Sequence, residues 1–361
     1  MFGGCRRDTV ILACRAGGEV DEAEWGVRMQ SMSFLKSWVG GISGVVLILV
    51  LVLGGIGWYW SIEPEPFSTR SFPELAQRSD KPRVPGEVTT LTLMRLVQTL
   101  LDKPGGYLSN DIGLPSVFMD NMPAWEYGVL VQVRDFARAL RKDISRSQSQ
   151  STENEFLTVA EPKLHFDHSS WWLPATEGEY REGLNALSQY RQSLADQRQT
   201  HAQFYARADN LRVWLADVET RLGSLSQRLS ASVGRTTLNV DLAGDPEATQ
   251  STESPEQMQV QTPWLEIDDV FYETRGSAWA LLHLLNAVSV DFKFVLEKKN
   301  ALISLKQIIR ELEGTQQSLH SPLVLNGRGM GILANHSLVM ANYISRANAA
   351  IIDLRELLSQ G

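Results

Sequence analysis

An uncharged apolar run at residues 38–60 constrains this chain more than any other feature of its sequence. Its 23 residues would rise about 34 Å as an α-helix, enough to cross the roughly 30 Å hydrocarbon layer of a bilayer. A buried soluble helix is one alternative, and a cleaved signal peptide with a weak small-residue site at residues 55–57 is another. Because the run exceeds the usual apolar length of a signal peptide, we predict a single transmembrane helix in contact with lipid at residues 38–60.

The charges flanking this run indicate an orientation. Lys36 precedes it and Glu63 and Glu65 follow it, although Arg70 and Arg78 also lie on the second side. By the positive-inside rule, this pattern favours a body outside the cytoplasm. For a bacterial source we therefore expect a single-pass inner-membrane protein whose C-terminal domain is periplasmic, and the reverse topology stays open.

The residues before the run differ from the rest of the sequence. Residues 1–28 show no hydrophobic period, and Met29 and Met32 follow them closely. We interpret residues 1–37 as an N-terminal tail and residues 1–28 as the product of a start codon assigned too early. The two cysteines, Cys5 and Cys14, both lie in this tail. The remaining sequence therefore has no thiol for a disulfide, a zinc cluster or nucleophilic catalysis.

Composition narrows the classes of partner. With 43% hydrophobic and 21% charged residues, the chain is expected to fold rather than to remain disordered. Its net charge of −8 repels nucleic acid, which requires a concentrated basic patch on a protein. We therefore predict partners among lipids and proteins, including a second copy of this chain, and no binding of DNA or RNA.

After the apolar run, residues 61–88 contain five prolines among charged residues, a composition typical of an extended linker. Residues 89–361 then show repeated helical periodicity, which predicts a helical domain. One of its helices is expected to begin at a cap formed by Asp120 and Asn121 and to bury residues at steps of three and four. These residues are Trp125, Val129, Val133, Phe136, Leu140 and Ile144.

The longest pattern is a seam of positions at alternating three- and four-residue steps, sustained over about seven heptads. The seam comprises Tyr180, Gly183, Leu187, Tyr190, Leu194, Gln197, His201, Phe204, Ala208, Leu211, Leu215, Val218, Leu222, Leu225 and Leu229. As one helix it would span roughly 75 Å, too long to be buried in a compact domain. Such a helix must pair with another stretch of this chain or with a second copy.

A second apolar stripe, from Trp264 to Leu312, offers a partner within the chain. We predict that residues 177–232 and 264–318 form a long antiparallel, coiled-coil-like hairpin, with residues 234–262 as a disordered acidic loop at its tip. The predicted fold class is therefore all-α: a single N-terminal transmembrane helix followed by an elongated helical bundle.

The densest group of side chains capable of chemistry is His165, Asp167 and His168, with Glu161 just upstream. Imidazole and carboxylate groups could bind a divalent metal or move a proton. Their spacing matches no known site, and in an extended segment the two histidines would lie on opposite faces. Surface or capping roles are therefore favoured, and we assign no catalytic, cofactor-binding or metal-binding residue.

Three other features have structural interpretations. The pair Trp171 and Trp172 suits packing in a core or an interface. His201 and Gln197 are interpreted as polar residues that set the register of the seam. The glycine-rich residues 327–331 are not followed by the lysine and hydroxyl pair of a phosphate-binding loop, which favours a turn between helices.

Four stretches have distinctive wording: GGYLSND at residues 105–111, DNMPAWEYGV at 120–129, residues 134–151 ending in RSQSQS, and EYREG at 179–183. In these stretches the chain resembles the bacterial domain-of-unknown-function 2333 family. The resemblance extends over most of the chain from about residue 36. It implies a membrane-associated protein of Gram-negative bacteria and brings no catalytic residues with it.

Two classes of function are compatible with the sequence. The first is a non-enzymatic scaffold that projects a helical arm to hold partners in the cell envelope, with Leu211, Leu215, Leu222 and Leu225 as part of a partner surface. The alternative is a membrane-tethered hydrolase or glycan-binding enzyme that uses His165, Asp167 and His168. The first is preferred because the long seam needs a partner.

Overall fold

The computed structural model divides the chain into two units, Met1–Ile56 and Gly57–Gly361. The residues described are 22–69, 72, 84–147, 152–196, 202–238, 255, 257–319, 321, 323–327 and 332–360, with side chains from residue 41 onward.

The first unit contains helix α1, Glu22–Trp60, whose last residues, 57–60, belong to the second unit. The helix begins well before the predicted position 38, and residues 1–21 of the predicted tail lie outside the described residues. Within α1, Gly41–Trp60 is long and apolar enough to cross a membrane, and none of that stretch is buried. A signal sequence near an N-terminus can meet the same criteria of length and composition.

The second unit is helical, which confirms the all-α fold class. Its helices are α2 Glu87–Asp102, α3 Asn121–Ala139, α4 Glu155–Leu164, α5 Thr176–Ala195, α6 Ala208–Ser230, α7 Ile267–Asp291, α8 Lys293–Lys298, α9 Leu302–Thr315 and α10 His336–Ser359. Short 3-10 turns lie at Ser116–Phe118, Ala231–Val233 and Trp264–Glu266, and α3 continues into a π-helical turn at Leu140–Ile144. Two short strands, β1 Arg235–Leu238 and β2 Gln257–Val260, pair antiparallel.

Helix α3 begins and packs as its sequence predicts. The Asp120 carboxylate accepts a hydrogen bond from the backbone N–H of Asn121 at 2.9 Å, which satisfies one of the amides that every helix N-terminus leaves unpaired. The predicted apolar positions are all buried: Trp125, Val129, Val133, Phe136, Leu140 and Ile144. Because this stripe lies in the centre of the core, α3 organises the helices around it.

Helices α3 and α7 make an unusually close contact through glycines. A Cβ added to Gly128 would lie 2.0 Å from the Glu273 carbonyl oxygen, and one added to Gly276 would lie 2.0 Å from the Trp125 carbonyl oxygen. The Ser277 hydroxyl also donates to the Gly128 carbonyl at 3.0 Å. Asp120 at the start of α3 lies close enough to Asp269 in the first turn of α7 for the two carboxylates to repel each other, and Gly128, eight residues further along α3, meets Ser277, eight residues further along α7. The two helices therefore run parallel and begin at the same end of the unit.

The continuous helix predicted over residues 177–232 is wrong in one respect, because the structure has two helices there, α5 and α6. Residues 202–207 between them are not helical. The backbone N–H of Tyr205 donates to the Ile144 carbonyl at 2.8 Å, and the Tyr190 hydroxyl donates to the Gln203 carbonyl at 2.8 Å. These long-range hydrogen bonds replace the helical ones. His201 and Gln197 lie outside the described residues.

The predicted hairpin is not confirmed. Helix α6 packs chiefly against α10, and α7 packs chiefly against α3, so the two predicted arms are not each other's main partners. The second arm is also divided into α7, α8 and α9, with a break at Asn300, whose φ is 52°. Leu211, Leu215, Leu222 and Leu225 are buried inside the unit. They are therefore unavailable as the partner surface that the seam was expected to provide.

The predicted acidic loop is bounded by structure at both ends. Strands β1 and β2 lie within its predicted limits and pair from Arg235 with Val260 to Leu238 with Gln257. Residues 239–254 and 256, where the predicted disorder falls, lie outside the described residues. The strands bring the two ends of that segment together.

The first residues of the predicted linker form a strap, residues 61–69, that lies along α7. Glu63 pairs with Arg275 at 2.7 Å, and the Phe67 ring stacks on His283 with centroids 3.8 Å apart. Phe72 is buried with Val88 of α2. Residues 70–71 and 73–83 lie outside the described part. The described part of the linker is therefore packed against the body, and α2 begins at Glu87 rather than at 89.

Candidate binding cleft

A cleft with a volume of about 460 Å³ lies between α7, α9 and α10. Ligand pockets are typically concave sites of this order of size with an apolar lining and a few polar groups. Helices α7 and α10 supply the apolar wall, and the segment after α9 supplies hydroxyl and amide groups. The lining residues are Phe271, Arg275, Gly314, Thr315, Gln317, Ser318, Leu319, Ser321, His336, Val339, Met340 and Tyr343.

Among the described lining residues, Arg275 is the one guanidinium, and its donors are largely committed within the protein. Its Nη1 donates to the carbonyl oxygens of Thr315 at 3.0 Å and Gln317 at 2.9 Å. These contacts satisfy carbonyls at the C-terminal end of α9, which a helix leaves unpaired. Its Nε and Nη2 donate to Glu63 of the strap at 2.9 and 2.7 Å. The charge at this wall is therefore balanced by a bidentate carboxylate.

Gly314 permits one wall of the cleft to form. A Cβ at Gly314 would lie 2.5 Å from Cε1 of Tyr343, closer than two carbon atoms can approach. The ring of Tyr343 also carries the Arg346 guanidinium 4.9 Å from its centroid, and Arg346 pairs with Glu311 at 2.8 Å. These contacts hold Tyr343 in place between α9 and α10.

His336 lies at the first residue of α10. Its Nδ1 accepts a hydrogen bond from the backbone N–H of Leu325 at 3.0 Å, which assigns the proton of the neutral imidazole to Nε2. Asn335 caps the helix by accepting from the backbone N–H of Leu338 at 2.8 Å. The imidazole is therefore fixed in one tautomer, in which Nε2 is a hydrogen-bond donor.

This arrangement is suited to reversible binding. Phe271, Met340 and Val339 offer apolar and aromatic surface, and the hydroxyls of Ser318 and Ser321 supply orienting groups. The only full charge described in the lining is balanced by Glu63. The cleft therefore fits an uncharged or apolar group, such as a side chain of a partner protein.

The structure places the predicted His/Asp group on the surface, where each member has its own local contact. The His165 Nδ1 lies 3.0 Å from the Glu161 carbonyl oxygen and 3.3 Å from its carboxylate. Asp167 accepts from the backbone N–H and the hydroxyl of Ser169, and these hydrogen bonds lower the pKa of its carboxyl group. His168 packs against Tyr127 with ring centroids 5.1 Å apart.

Burial lowers the pKa of His168, and the nearby Arg134 guanidinium lowers it further. Among the described residues, no three His, Cys, Asp or Glu side chains come together in a way suited to a metal ion. Trp171 and Trp172 are exposed, which contradicts the core interpretation, and the interface interpretation stays a prediction. Residues 328–331 of the glycine-rich turn lie outside the described residues.

Sequence reasoning missed the cleft. Phe271 lies within the predicted apolar stripe from Trp264 to Leu312 and Met340 lies on the apolar face of α10, but nothing in the sequence shows that these two faces meet. Arg275 gives a usable signal, because it is a charged residue inside the apolar stripe of α7. Charged residues are almost never fully buried unless they are paired. That rule predicts a partner for Arg275 without identifying Glu63.

Comparison with known proteins gives a family but no close relative of defined activity. No curated protein and no solved structure matches the chain. The profile of a bacterial family described as "Uncharacterized protein conserved in bacteria", domain of unknown function 2333, matches residues 32–361. The match begins just before the apolar part of α1 and includes every helix of the second unit. The chain therefore belongs to the domain-of-unknown-function 2333 family.

Proposed function

We propose that this protein is a single-pass, inner-membrane-anchored scaffold whose periplasmic helical body binds an envelope protein. The observation that carries the binding role is the cleft, in which aromatic and hydroxyl groups surround an arginine already paired with Glu63. A wall of balanced charge favours binding of an apolar side chain over chemistry on a charged substrate.

The anchor is supported by the Gly41–Trp60 part of α1, an apolar stretch of which none is buried within the protein. Exposing so many large apolar residues to water would be unfavourable, at about 25 cal/mol for each Å² of apolar surface. A bilayer removes this cost. The bacterial family supports an inner membrane as the location, and the positions of Lys36 and Glu63 support a periplasmic body.

The binding role is tested by a charge placed at the rim of the cleft. Val339 lines the cleft and is 57% exposed, so Val339→Arg should leave the fold intact while opposing entry of an apolar group. A matched control is Ile352→Arg, on the same helix and 47% exposed but outside the cleft. Full-length protein would be crosslinked in its native membrane and purified, and bound proteins would be identified by mass spectrometry.

We expect the wild type and Ile352→Arg to retain a defined envelope protein that Val339→Arg loses. Equal recovery from all three samples would exclude the cleft as the binding site. Metal analysis of the same samples tests the enzyme alternative, because stoichiometric bound metal would direct attention to His165 and His168.

The location is tested separately by protease digestion of spheroplasts. A periplasmic body would be digested without lysis, leaving a fragment that contains the anchor. Protection until the inner membrane is lysed would establish the reverse topology. Extraction of the protein by alkaline carbonate would show that residues 38–60 do not span the membrane.

A further inference from the structure

We propose that the body carries a second membrane contact, in which three apolar loops enter the lipid headgroup layer beside the anchor. The loops are residues 112–118, 171–173 and 264–265, here called the apolar rim. This inference rests on the proposed anchoring by α1. It adds that the body itself touches the bilayer.

Each loop of the apolar rim exposes large apolar side chains. Phe118 is 82% exposed, Leu173 is 83% exposed and Trp264 is 80% exposed. Their neighbours Leu114, Trp172 and Leu265 are exposed as well. None of the three loops contains a charged residue. Single exposed apolar residues are ordinary, but clusters of this size mark a surface that contacts protein or membrane.

The first loop lies against the residues through which the chain leaves the apolar helix. A Cβ on Gly57 would lie 3.7 Å from the ring atoms Cβ and Cγ of Pro115, so this loop packs beside residue 57. Three residues after Gly57, the Trp60 ring covers Gly105, where a Cβ would lie 2.7 Å from Trp60 Cγ. Gly105 has a φ of 85°, which favours glycine. Loop 112–118 is thereby fixed at the end of the unit where the anchor enters it.

The second loop is joined to the first through Asn110. The Asn110 side-chain amide donates to the Ser170 carbonyl at 2.9 Å and to the Glu177 carboxylate at 2.9 Å. Ser170 immediately precedes loop 171–173, and Asn110 lies two residues before loop 112–118. The Ser170 hydroxyl in turn donates to the Pro174 carbonyl at 2.9 Å. The two loops are therefore held side by side.

The third loop reaches the same end because α3 and α7 are parallel and in close contact. Phe118 lies three residues before α3 begins, and Trp264 lies three residues before α7 begins. Asp120 and Asp269 are close enough to repel each other, a repulsion that adds to burial in raising the pKa of Asp269 to about 6. The strap gives the same direction. Its Glu63 contacts Arg275, and its later residue Phe67 contacts His283, so the strap begins beside the N-terminal half of α7.

The bilayer is the occupant that this geometry favours. Loop 112–118 of the rim lies against Gly57, from which the chain continues directly into the apolar helix, and Trp58 and Tyr59 at that junction are exposed too. Tryptophan and tyrosine concentrate in the interfacial layers of membranes, where one side of the ring is apolar and the other is hydrated. Exposed aromatic and aliphatic loops at the membrane end of an anchored protein are placed to enter that layer.

The test uses full-length protein in which Cys5 and Cys14 are changed to serine and one position carries an environment-sensitive fluorophore. Phe118→Cys and Leu173→Cys report on two loops of the rim. Phe294→Cys is the matched control, because Phe294 is 77% exposed but lies in α8, beyond the C-terminal end of α7. Each protein is reconstituted into phosphatidylcholine vesicles with and without nitroxide-labelled phosphatidylcholine.

We expect blue-shifted emission and several-fold stronger quenching by the nitroxide lipid at positions 118 and 173 than at 294. Equal, weak quenching at all three positions, in protein that resists carbonate extraction, would overturn the rim contact and leave the anchor standing. Protein that is extracted by carbonate would overturn both. Blue-shifted emission from position 118 in native membranes but not in vesicles of pure lipid would assign the rim to a protein partner and overturn the lipid contact. Circular dichroism checks that all three variants fold alike.

Discussion

Two helix pairs form the centre of the body, and they hold together in different ways. Helices α3 and α7 meet backbone to backbone, because Gly128 and Gly276 leave no side chain between them. Helices α6 and α10 meet through side chains, with Leu215 and Leu222 of α6 and Ile351 of α10 buried. The contact between α3 and α7 requires that residues 128 and 276 carry no side chain, whereas the contact between α6 and α10 requires the buried apolar side chains. We therefore expect an added methyl group to destabilise the contact between α3 and α7, and the removal of buried side-chain volume to destabilise the contact between α6 and α10.

The largest effect is expected from Gly276→Ala. Its new Cβ would lie 2.0 Å from the Trp125 carbonyl oxygen, and because that atom belongs to the backbone of α3, the helices must separate. We expect a loss of about 4 kcal/mol or more in the free energy of unfolding, measured by chemical denaturation.

The control for this prediction is Gly178→Ala, another glycine within a helix, where a Cβ meets nothing within 4 Å. That change should leave stability unchanged or raise it by up to about 1 kcal/mol. Equal effects at the two glycines would refute a backbone-to-backbone contact between α3 and α7.

The leucine pair is tested by removing volume. Leu215→Ala should cost about 2–5 kcal/mol in the free energy of unfolding, because Leu215 is fully buried in the core and its loss leaves a cavity there. Val213→Ala, on the exposed side of the same helix, should change the free energy of unfolding by less than about 0.5 kcal/mol. A small effect of Leu215→Ala would mean that α6 does not pack against the core as described.

The same comparison shows what the sequence alone can predict. The apolar period identifies the buried face of α6 and of α3 correctly, because burial of an apolar stripe is a local property of a helix. The apolar period does not identify the helix that covers this buried face. Helix α6 could have met α7, as its seam led us to expect, and instead meets α10. Matching stripes are common, and a stripe does not specify its partner.

Two further features depend on contacts between residues far apart in the sequence. The break after α5 is held by hydrogen bonds from Tyr205 to Ile144 and from Tyr190 to Gln203. The apolar seam continues in the sequence across this break and therefore does not predict it. The cleft likewise needs Arg275 to meet Glu63, which lies 212 residues away. Glycines inside α3 and α7 were the available sign of close packing, since an interior glycine weakens an isolated helix.

A contact of a third kind joins α2 to α7 through a buried carboxyl group. Asp291 accepts from the backbone N–H of Thr89 at 2.8 Å and from the Thr89 hydroxyl at 2.5 Å, and burial raises its pKa from 3.8 to about 6. A carboxyl group with a raised folded-state pKa binds its proton more tightly when the protein is folded. Its contribution to stability is therefore complete below about pH 4 and is lost as the pH rises through about 6.

We expect Asp291→Asn to remove this loss, because an amide oxygen can accept both Thr89 hydrogen bonds without carrying a charge. At pH 8 the variant should gain about 1–3 kcal/mol over the wild type, with little difference at pH 4. Denaturation at the two pH values measures this. A gain of equal size at both would assign the effect to something other than the proton on Asp291.

The smallest effect is expected from the double change His165→Ala and His168→Ala. Both imidazoles are partly exposed and belong to neither helix pair, so the free energy of unfolding should change by less than about 1 kcal/mol at pH 7. A much larger loss of stability, or a loss of bound metal, would give these residues a role that their local contacts do not explain.

Arg275 has a mechanical consequence, because a single guanidinium holds both the strap at Glu63 and the end of α9 at Thr315. A force that pulls the chain at residue 57 would first load the contact of Trp60 with Gly105 and then the pair of Glu63 and Arg275. We expect rupture of the pair of Glu63 and Arg275 to release the edge of the cleft. Single-molecule pulling through residue 57 should show an early rupture that Glu63→Gln lowers, and an unchanged rupture would exclude the link. Under the proposed binding role, tension along the chain at residue 57 would then weaken binding at the cleft.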